Sequence, residues 1–258
     1  MSLILSLLII LTLATTSVYS SNSKTLSVCT LKLAGNMVID AEKGFLIDVL
    51  NNTLGKYRPL KVQLFPPVRA FHSFAKKDCD VLVSASERFI TKYTSEETVE
   101  LPIGLRDYHT VFSHSDQALK RLDLAKPQNF VSLHKWFIPQ DFAKKHHVYF
   151  AHSLENALKM LKAKRVDYFI GFNFLSLEYI KEKEIKGLVS LKDIRLDPRK
   201  VVFLIHKRKN SNHLKTAFKK NLLKYVESGD YDRDINKHNV PNYVLMSRKD
   251  FLESLQEI

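Results

Sequence analysis

Short apolar runs alternate with amphipathic segments along the chain, and this pattern predicts strands separated by helices. In the first part of the chain, the apolar runs at 26–33, 61–65 and 81–83 predict strands. Residues 44–55 and 68–76 carry apolar side chains at helical spacing, so we predict helices there. Strands that alternate with helices pair in parallel through right-handed crossovers. The first part of the chain is therefore predicted to be an α/β unit.

A second α/β pattern follows after a polar segment. Its predicted strands lie at 130–133, 148–151, 165–171 and 188–191. Its first predicted helix lies at 139–145. A second predicted helix begins after the N-cap residue Ser153, and a third extends from its N-cap residue Asn173 through Ile180. The most apolar strand of the chain, 200–206, and two helices, 211–227 and 247–256, complete the sequence.

Two extended segments, 107–114 and 201–206, lie where the chain would cross between the two α/β units. We therefore predict two lobes joined by two strands, with a cleft between them that closes on a ligand by hinge motion. The first lobe is predicted to comprise residues 21–110 and 200–258, and the second lobe residues 111–199.

The first twenty residues have the composition of a targeting segment. Residues 3–13 are almost wholly apolar, and Val18 and Ser20 are small residues at the two positions that a signal peptidase reads. The apolar run is too short to span a bilayer comfortably. We therefore predict a signal peptide, residues 1–20, cleaved after Ser20, and a periplasmic or secreted protein.

Composition narrows the range of functions. The net charge is +13, but export makes nucleic acid an unsuitable partner, which leaves attraction to anions or a lysine-rich solvated surface. Cys29 and Cys79 either pair in an oxidising compartment or remain buried thiols. No histidine is completed into a metal-ligand set by Cys or carboxylate at the usual spacing, and only 7 glycines are present. The sequence therefore predicts no metal and no cofactor.

The stretch from Asp78 to Gly104 carries the candidate ligand site. A buried strand at 81–83 is followed by Ser84, Ser86 and then Arg88. In open α/β sheets, ligands bind outside the carboxyl ends of the strands. The planar guanidinium of an arginine suits a ligand carboxylate. Alternatively, Arg88 caps a nearby helix end or forms an ordinary surface ion pair.

The ordered segments resemble family 3 of the extracellular solute-binding proteins, the periplasmic receptors of ABC importers. The matching segments are GFLIDVL (44–50), PPVRAF (66–71), DCDVLVSASER (78–88), ELPIG (100–104), SLENALKMLKAKRVDYFIG (153–171) and ESGDYDRDINKH (227–238). Their order and spacing agree with the family over nearly the whole chain from residue 21 up to about residue 240. The resemblance implies an α/β, bilobal, periplasmic-binding-protein-like (type II) fold with two hinge strands, and a monomer.

The resemblance also implies roles for individual residues. Arg88 matches the arginine that holds a ligand carboxylate, Ser84 and Ser86 match hydrogen-bond donors before it, and Arg69 matches a frequent cleft position. From the residues themselves, Trp136 is either a ring that stacks on the ligand or a core residue. Asn173 is either a ligand contact or simply an N-cap.

Two departures from the family change the expected ligand. Amino-acid-binding members carry a carboxylate after the second-lobe strand, whereas this chain has Gly171, Phe172 and Asn173. The glycine-rich turn after the second lobe's first strand is replaced by residues 132–136. These departures favour a carboxylate or other anion without an ammonium group.

The sequence thus predicts a non-enzymatic binding protein that captures a small polar or anionic solute for an inner-membrane permease. A sensory or interaction module with the same fold is the first alternative. A dehydratase-like enzyme with Glu87 as the general acid is the second.

Overall fold

The computed structural model describes residues 25–31, 33, 35–86, 97–133, 138, 140–191, 195–208 and 211–258. The strands are β1 (Leu26–Leu31), β2 (Leu60–Phe65), β3 (Val81–Ser86), β4 (Thr98–Ser113), β5 (Asn129–Ser132), β6 (His147–Phe150), β7 (Tyr168–Phe172), β8 (Val189–Ser190) and β9 (Leu196–His206). The helices are α1 (Phe45–Thr53), α2 (Pro67–Ala75), α3 (Asp116–Lys120), α4 (Gln140–Lys145), α5 (Leu154–Lys162), α6 (Asn173–Glu182), α7 (Ser211–Glu227), α8 (Asp230–Lys237) and α9 (Arg248–Gln256), with a 3₁₀ turn at Asn242–Val244.

All nine described strands belong to one sheet in the order β2-β1-β3-β9-β4-β7-β5-β6, and β8 pairs with β4. The pairs of β1 with β2 and β3, and of β5 with β6 and β7, are parallel. β9 runs antiparallel to both β3 and β4, and β7 runs antiparallel to β4. The parallel pairing predicted from the alternation of strands and helices is therefore confirmed in both halves of the chain.

The two long strands β4 and β9 connect the halves, as predicted. β4 is longer than predicted because it begins at Thr98 rather than at Asp107. Pro102 and Gly104 locally indicate a break, but the strand continues because the pairing with β9 shifts register between Pro102 and Leu105. The irregularity places two extra residues, Ile103 and Gly104, on β4, and Gly104 supplies the φ of +79° that it needs.

Hydrophobic side chains form separate cores in the two halves. The first cluster is built on β1, β3, the start of β4, the end of β9 and the helices α1, α7, α8 and α9. In the second half, neighbouring residues of one strand enter different clusters. Phe112 and Phe169 lie in one, and Val111 and Ile170 in the other. This alternation follows from the period of two along a strand, and both faces of that part of the sheet are covered. The exact lobe boundaries stay a prediction.

The structure confirms one predicted helix N-cap, corrects another and adds a short helix that was not predicted. Ser153 Oγ accepts a hydrogen bond from the Asn156 N–H at 3.1 Å, as predicted for the N-cap of α5. Asn173 was predicted to cap α6, but it is the first helical residue, and Phe172 occupies the N-cap position without a side-chain bond. The short helix α3, capped by Ser115, was not predicted because its segment reads as a polar loop.

Cys29 and Cys79 form a disulfide, which decides between the two alternatives left open by the sequence. Their Cα atoms are 5.7 Å apart, and both residues are buried. The bond joins β1 to a residue just before β3. These two strands are already neighbours in the sheet. It therefore closes a loop that contains α1, β2 and α2.

No helix among the described residues is long and apolar enough to cross a bilayer. The predicted signal peptide, residues 1–20, lies outside the described residues.

Candidate ligand cleft

The carboxyl ends of strands from both halves converge on one short segment of β4. β3 pairs antiparallel with β9, which pairs antiparallel with β4, so β3 and the first half of β4 run in the same direction. β7 runs against β4 from the other half, so its carboxyl end approaches the same segment from the opposite side. β1 is parallel to β3, and β5 is parallel to β7. The carboxyl ends of four strands therefore face each other, the place where open α/β sheets bind ligands.

Strand register gives the scale of this cleft. Ser86 lies opposite Val201, which in turn lies opposite Leu105 of β4. Phe172, the last residue of β7, lies opposite His109. Leu105 and His109 are four residues apart on one strand, which corresponds to roughly 13 Å at the usual rise of about 3.3 Å per residue. This spacing leaves room for a small molecule between the two strand ends.

The predicted site residues fall into three groups in the structure. Arg88, Trp136 and the alternative acid Glu87 lie outside the described residues. The backbone of Ser84 and Ser86 forms the end of β3, at the edge of the cleft.

Arg69 and Asn173 lie near the starts of two helices, α2 and α6. Arg69 is exposed in the first turn of α2, and its guanidinium carbon lies 5.6 Å from the centre of the Phe65 ring. Asn173 is buried at the start of α6, directly after β7. Both residues therefore follow the carboxyl end of a strand, Arg69 after β2 and Asn173 after β7.

Two buried hydroxyl groups near strand ends were missed by the sequence analysis. Ser132 is the last residue of β5, and Thr30 is the penultimate residue of β1. Both residues are fully buried, and neither hydroxyl has a hydrogen-bond partner among the described residues. A buried hydroxyl without a partner is uncommon because its desolvation is not compensated. No local sequence pattern marks such a group, since its missing partner is a tertiary property.

The connecting segment carries one perturbed acid. Asp107 Oδ1 accepts hydrogen bonds from the N–H groups of Tyr108 at 2.8 Å and Phe174 at 3.4 Å. Desolvation by burial nevertheless raises the pKa of Asp107 to about 7, and the two backbone bonds only partly oppose that rise. Its neighbour Tyr108 is covered by the guanidinium of Arg195, which lies 5.3 Å from the ring centre.

Helix α6 makes contact with both halves of the molecule. Its Phe174 side chain is buried in the first hydrophobic cluster, although α6 follows β7 of the second half. One turn later, Glu178 lies against Gly35 in the loop after β1, where a Cβ atom would be 2.8 Å from Glu178 Oε2. The loop after β1 and the start of α6 therefore meet at one side of the cleft.

No family model and no curated protein sequence matches the chain. Solved structures do match it. The ligand-binding core of GluR0 from Nostoc punctiforme, in complex with L-glutamate, has a TM-score of 0.66 at 15% identity, over 84% of this chain and 100% of that chain. The arginine-, lysine-, histidine-binding protein ArtJ from Geobacillus stearothermophilus has a TM-score of 0.66 at 16% identity, over 90% of this chain and 100% of that chain.

A histidine kinase sensor domain with similarity to periplasmic binding proteins also matches, with a TM-score of 0.66 at 15% identity, over 88% of this chain and 100% of that chain. The chain has the bilobal periplasmic-binding-protein fold. The predicted fold class is thereby confirmed, and these neighbours are of the solute-binding type that the sequence resembles. Among the described residues, no group of three or more His, Cys, Asp or Glu side chains is arranged to hold a metal ion.

Proposed function

We propose that this protein is a non-enzymatic, periplasmic solute-binding protein that captures a small polar solute between its two lobes. The convergence of four strand carboxyl ends on the segment from Leu105 to His109 is the observation that carries this proposal. The bilobal fold supports it, because such lobes close on ligands by hinge motion. The similar GluR0 core was solved in complex with L-glutamate, and the similar ArtJ is an arginine-, lysine-, histidine-binding protein.

The proposed ligand bears a carboxylate. Arg88, two residues beyond the end of β3, is proposed to bind that group, with Ser84 and Ser86 as hydrogen-bond donors and Arg69 as a second cation. On the facing side, Ser132 offers a buried hydroxyl with no partner among the described residues, and Asn173 offers an amide. Trp136 is proposed to stack its ring on the ligand. No carboxylate follows β7 directly, which favours an anion without an ammonium group.

Delivery to an inner-membrane ABC permease is the proposed role of the liganded protein, which acts as a monomer without a cofactor or nucleic acid. The match to a histidine kinase sensor domain favours one second candidate, in which another envelope protein reads the closed form. Uptake of the labelled ligand by cells lacking this chain distinguishes the two. Transport requires that uptake falls, whereas sensing requires that uptake persists and a ligand-dependent response disappears.

A thermal-shift screen tests the solute-binding function. The purified protein is heated with amino acids, dicarboxylates, sugar acids and small sulfonates, each in turn. A ligand at a hundredfold excess over its dissociation constant stabilises the folded state by about 2.7 kcal/mol, which raises the melting temperature by roughly 5–10 °C. A flat response across the panel would overturn the proposal.

Matched arginine variants locate the site. Arg88→Ala is expected to abolish the shift. Arg58→Ala is the control, because Arg58 lies over the ring of Tyr57 at 5.2 Å and directly precedes β2, at the end of that strand away from the cleft. Equal ligand shifts in both variants would place binding outside the proposed cleft.

A further inference from the structure

A concave groove lies on the second lobe between α5 and the end of α6. It encloses about 320 Å³, at the lower end of the range for small-molecule sites. Its floor is formed by Leu158 of α5, the ring of Tyr179 and Ile185 just after α6. We call it the α5–α6 groove.

This groove is separate from the cleft between the lobes. α6 begins at the cleft with Asn173, and Lys183 follows the end of that helix. Ten residues of helix correspond to about 15 Å. The other wall consists of α5 residues spaced three or four apart, so that they share one face of that helix.

Three lysines stand around the apolar floor. Lys159 and Lys162 project from α5, and Lys183 follows α6. Lys159 Nζ donates a hydrogen bond to Glu155 Oε1 at 2.6 Å, and this bond raises the pKa of Lys159, so the ammonium stays charged at neutral pH. Lys162 has no ion-pair partner in the part of the chain that the structure describes. Lys183 Nζ lies 3.2 Å from Glu182 Oε1, so three lysines face two carboxylates, Glu155 and Glu182, and the rim keeps an excess of positive charge.

Tyr179 links the cationic rim to the apolar floor. Lys183 Nζ lies 6.0 Å from the centre of its ring, at the limit of a cation–π contact. A negative charge on Glu155 is also stabilised by both Lys159 and Lys183, which lowers the pKa of that carboxyl. Lys159 and Lys183 thus act on the same carboxylate, and Lys162 lines the same groove.

Helix stabilisation accounts for only part of this arrangement. Lys159 and Lys162 occupy the last turn of α5, where cations complement the helix dipole. That role does not require an aromatic ring and aliphatic side chains to line a concavity beneath the lysines. Such a floor under a cationic rim matches a molecule with an apolar body and an anionic end.

We propose that the α5–α6 groove binds an amphipathic anion of the class of aryl or alkyl carboxylates, sulfonates and phosphate monoesters. The anionic group lies among Lys159, Lys162 and Lys183. The apolar body lies on Leu158, Tyr179 and Ile185. This site is additional to the solute site in the cleft and does not depend on it.

Fluorescence titration tests the proposal with two matched probes. 8-Anilinonaphthalene-1-sulfonate carries the aromatic body and the anion, and N-phenyl-1-naphthylamine carries the aromatic body alone. The expected result is one saturable sulfonate site, weakened by salt, with much weaker binding of the neutral probe. Lys162→Gln and Lys183→Gln are each expected to weaken sulfonate binding about threefold, the size of a single exposed charge contact. Tyr179→Leu is expected to weaken it further.

The control is Lys144→Gln. Lys144 belongs to α4 in the same lobe, its side chain is 76% exposed, and its Nζ lies 3.7 Å from Asp141 Oδ1. It is expected to leave binding unchanged. Equal effects of Lys144→Gln and Lys162→Gln would overturn the proposal, as would equal affinities for the two probes. If a cleft ligand displaced the sulfonate probe, and if Arg88→Ala abolished sulfonate binding, the probe would be bound in the cleft. That result would overturn the proposed groove site while supporting the proposed cleft site. Unchanged melting temperatures of the lysine variants verify that the fold is intact.

Discussion

The carboxylate of Asp107 in β4 accepts a hydrogen bond from the backbone N–H of Phe174 in the first turn of α6, at 3.4 Å. The two residues are 67 positions apart in sequence. Because the N-cap residue Phe172 offers no side-chain acceptor, Asp107 supplies one from the connecting strand. The segment that joins the lobes is thus bonded to the helix that starts at the cleft.

The raised pKa of Asp107 predicts an unusual dependence of stability on pH. The unfolded chain releases this proton near pH 4, whereas the folded chain holds it until pH is about 7. Within that window, the free energy of unfolding contributed by Asp107 falls as pH rises. Since a pKa difference of one corresponds to about 1.4 kcal/mol, the total loss is at most about 4 kcal/mol. Asp107→Asn keeps the acceptor oxygen and is expected to remove this loss.

Urea denaturation of the protein and of Asp107→Asn between pH 4 and pH 8 measures the effect as a difference between the two curves. Asp123→Asn is the control, because hydrogen bonds lower the pKa of exposed Asp123, and its small contribution has the opposite sign. Parallel curves for the protein and Asp107→Asn would contradict the prediction.

Two buried serines predict opposite responses to the same substitution. Ser113 Oγ donates a hydrogen bond to the Asp167 carbonyl at 2.9 Å, whereas Ser132 Oγ has no partner among the described residues. Ser113→Ala is expected to reduce the free energy of unfolding by about 1 kcal/mol. Ser132→Ala is expected to leave the stability of the unliganded protein unchanged or slightly higher, because no bond is lost.

If Ser132 binds the solute, the same Ser132→Ala variant weakens ligand affinity by about tenfold, the value of one hydrogen bond. Chemical denaturation and calorimetric titration give the two quantities separately. A loss of stability in Ser132→Ala equal to that in Ser113→Ala would assign its hydroxyl a structural partner instead.

The elements were largely predictable from the sequence because apolar periodicity is a local signal. The helix predicted at 211–227 is α7 with the same bounds, and the strand predicted at 81–83 is the first half of β3. The first half of β4 was not predictable, because Pro102 and Gly104 indicate a break that pairing with β9 overrides. The place of the cleft follows from the order and direction of the strands in the sheet.

The chemistry within the cleft was less predictable because it depends on contacts between distant residues. Asp107 was not singled out by the sequence, since its approach to Phe174 requires the folded connection between the lobes. Ser132 was noted only as part of a segment that departs from the family. The pairing of Cys29 with Cys79 likewise required the neighbouring positions of β1 and β3.

The disulfide between Cys29 and Cys79 is expected to stabilise the protein by about 4 kcal/mol. It closes a loop with a sequence separation of 50 residues, and in the chain-entropy account a loop of this length restricts the unfolded state by about that amount. Urea denaturation with and without a reductant measures the difference. The variant Cys29→Ala/Cys79→Ala is expected to match the reduced protein and to be insensitive to the reductant. Equal stability of the oxidised and reduced forms would contradict the prediction.

The contact between Gly35 and Glu178 predicts that a single methyl group hinders approach of the lobes. Gly35 has φ +67°, and a Cβ atom there would lie 2.8 Å from Glu178 Oε2. Gly35→Ala is therefore expected to cost about 1 kcal/mol from backbone strain and to weaken ligand affinity by separating the loop after β1 from α6. Glu178→Ala added to Gly35→Ala removes the clash but not the backbone strain.

Small-angle scattering and ligand titration of the two single variants and the double variant separate these effects. The radius of gyration of Gly35→Ala with ligand is expected to exceed that of the parent protein, and the double variant is expected to return to the parent value. The melting temperature of the double variant, in contrast, stays below that of the parent protein, because residue 35 still has a positive φ. Recovery of stability without recovery of affinity would show that the contact serves folding alone.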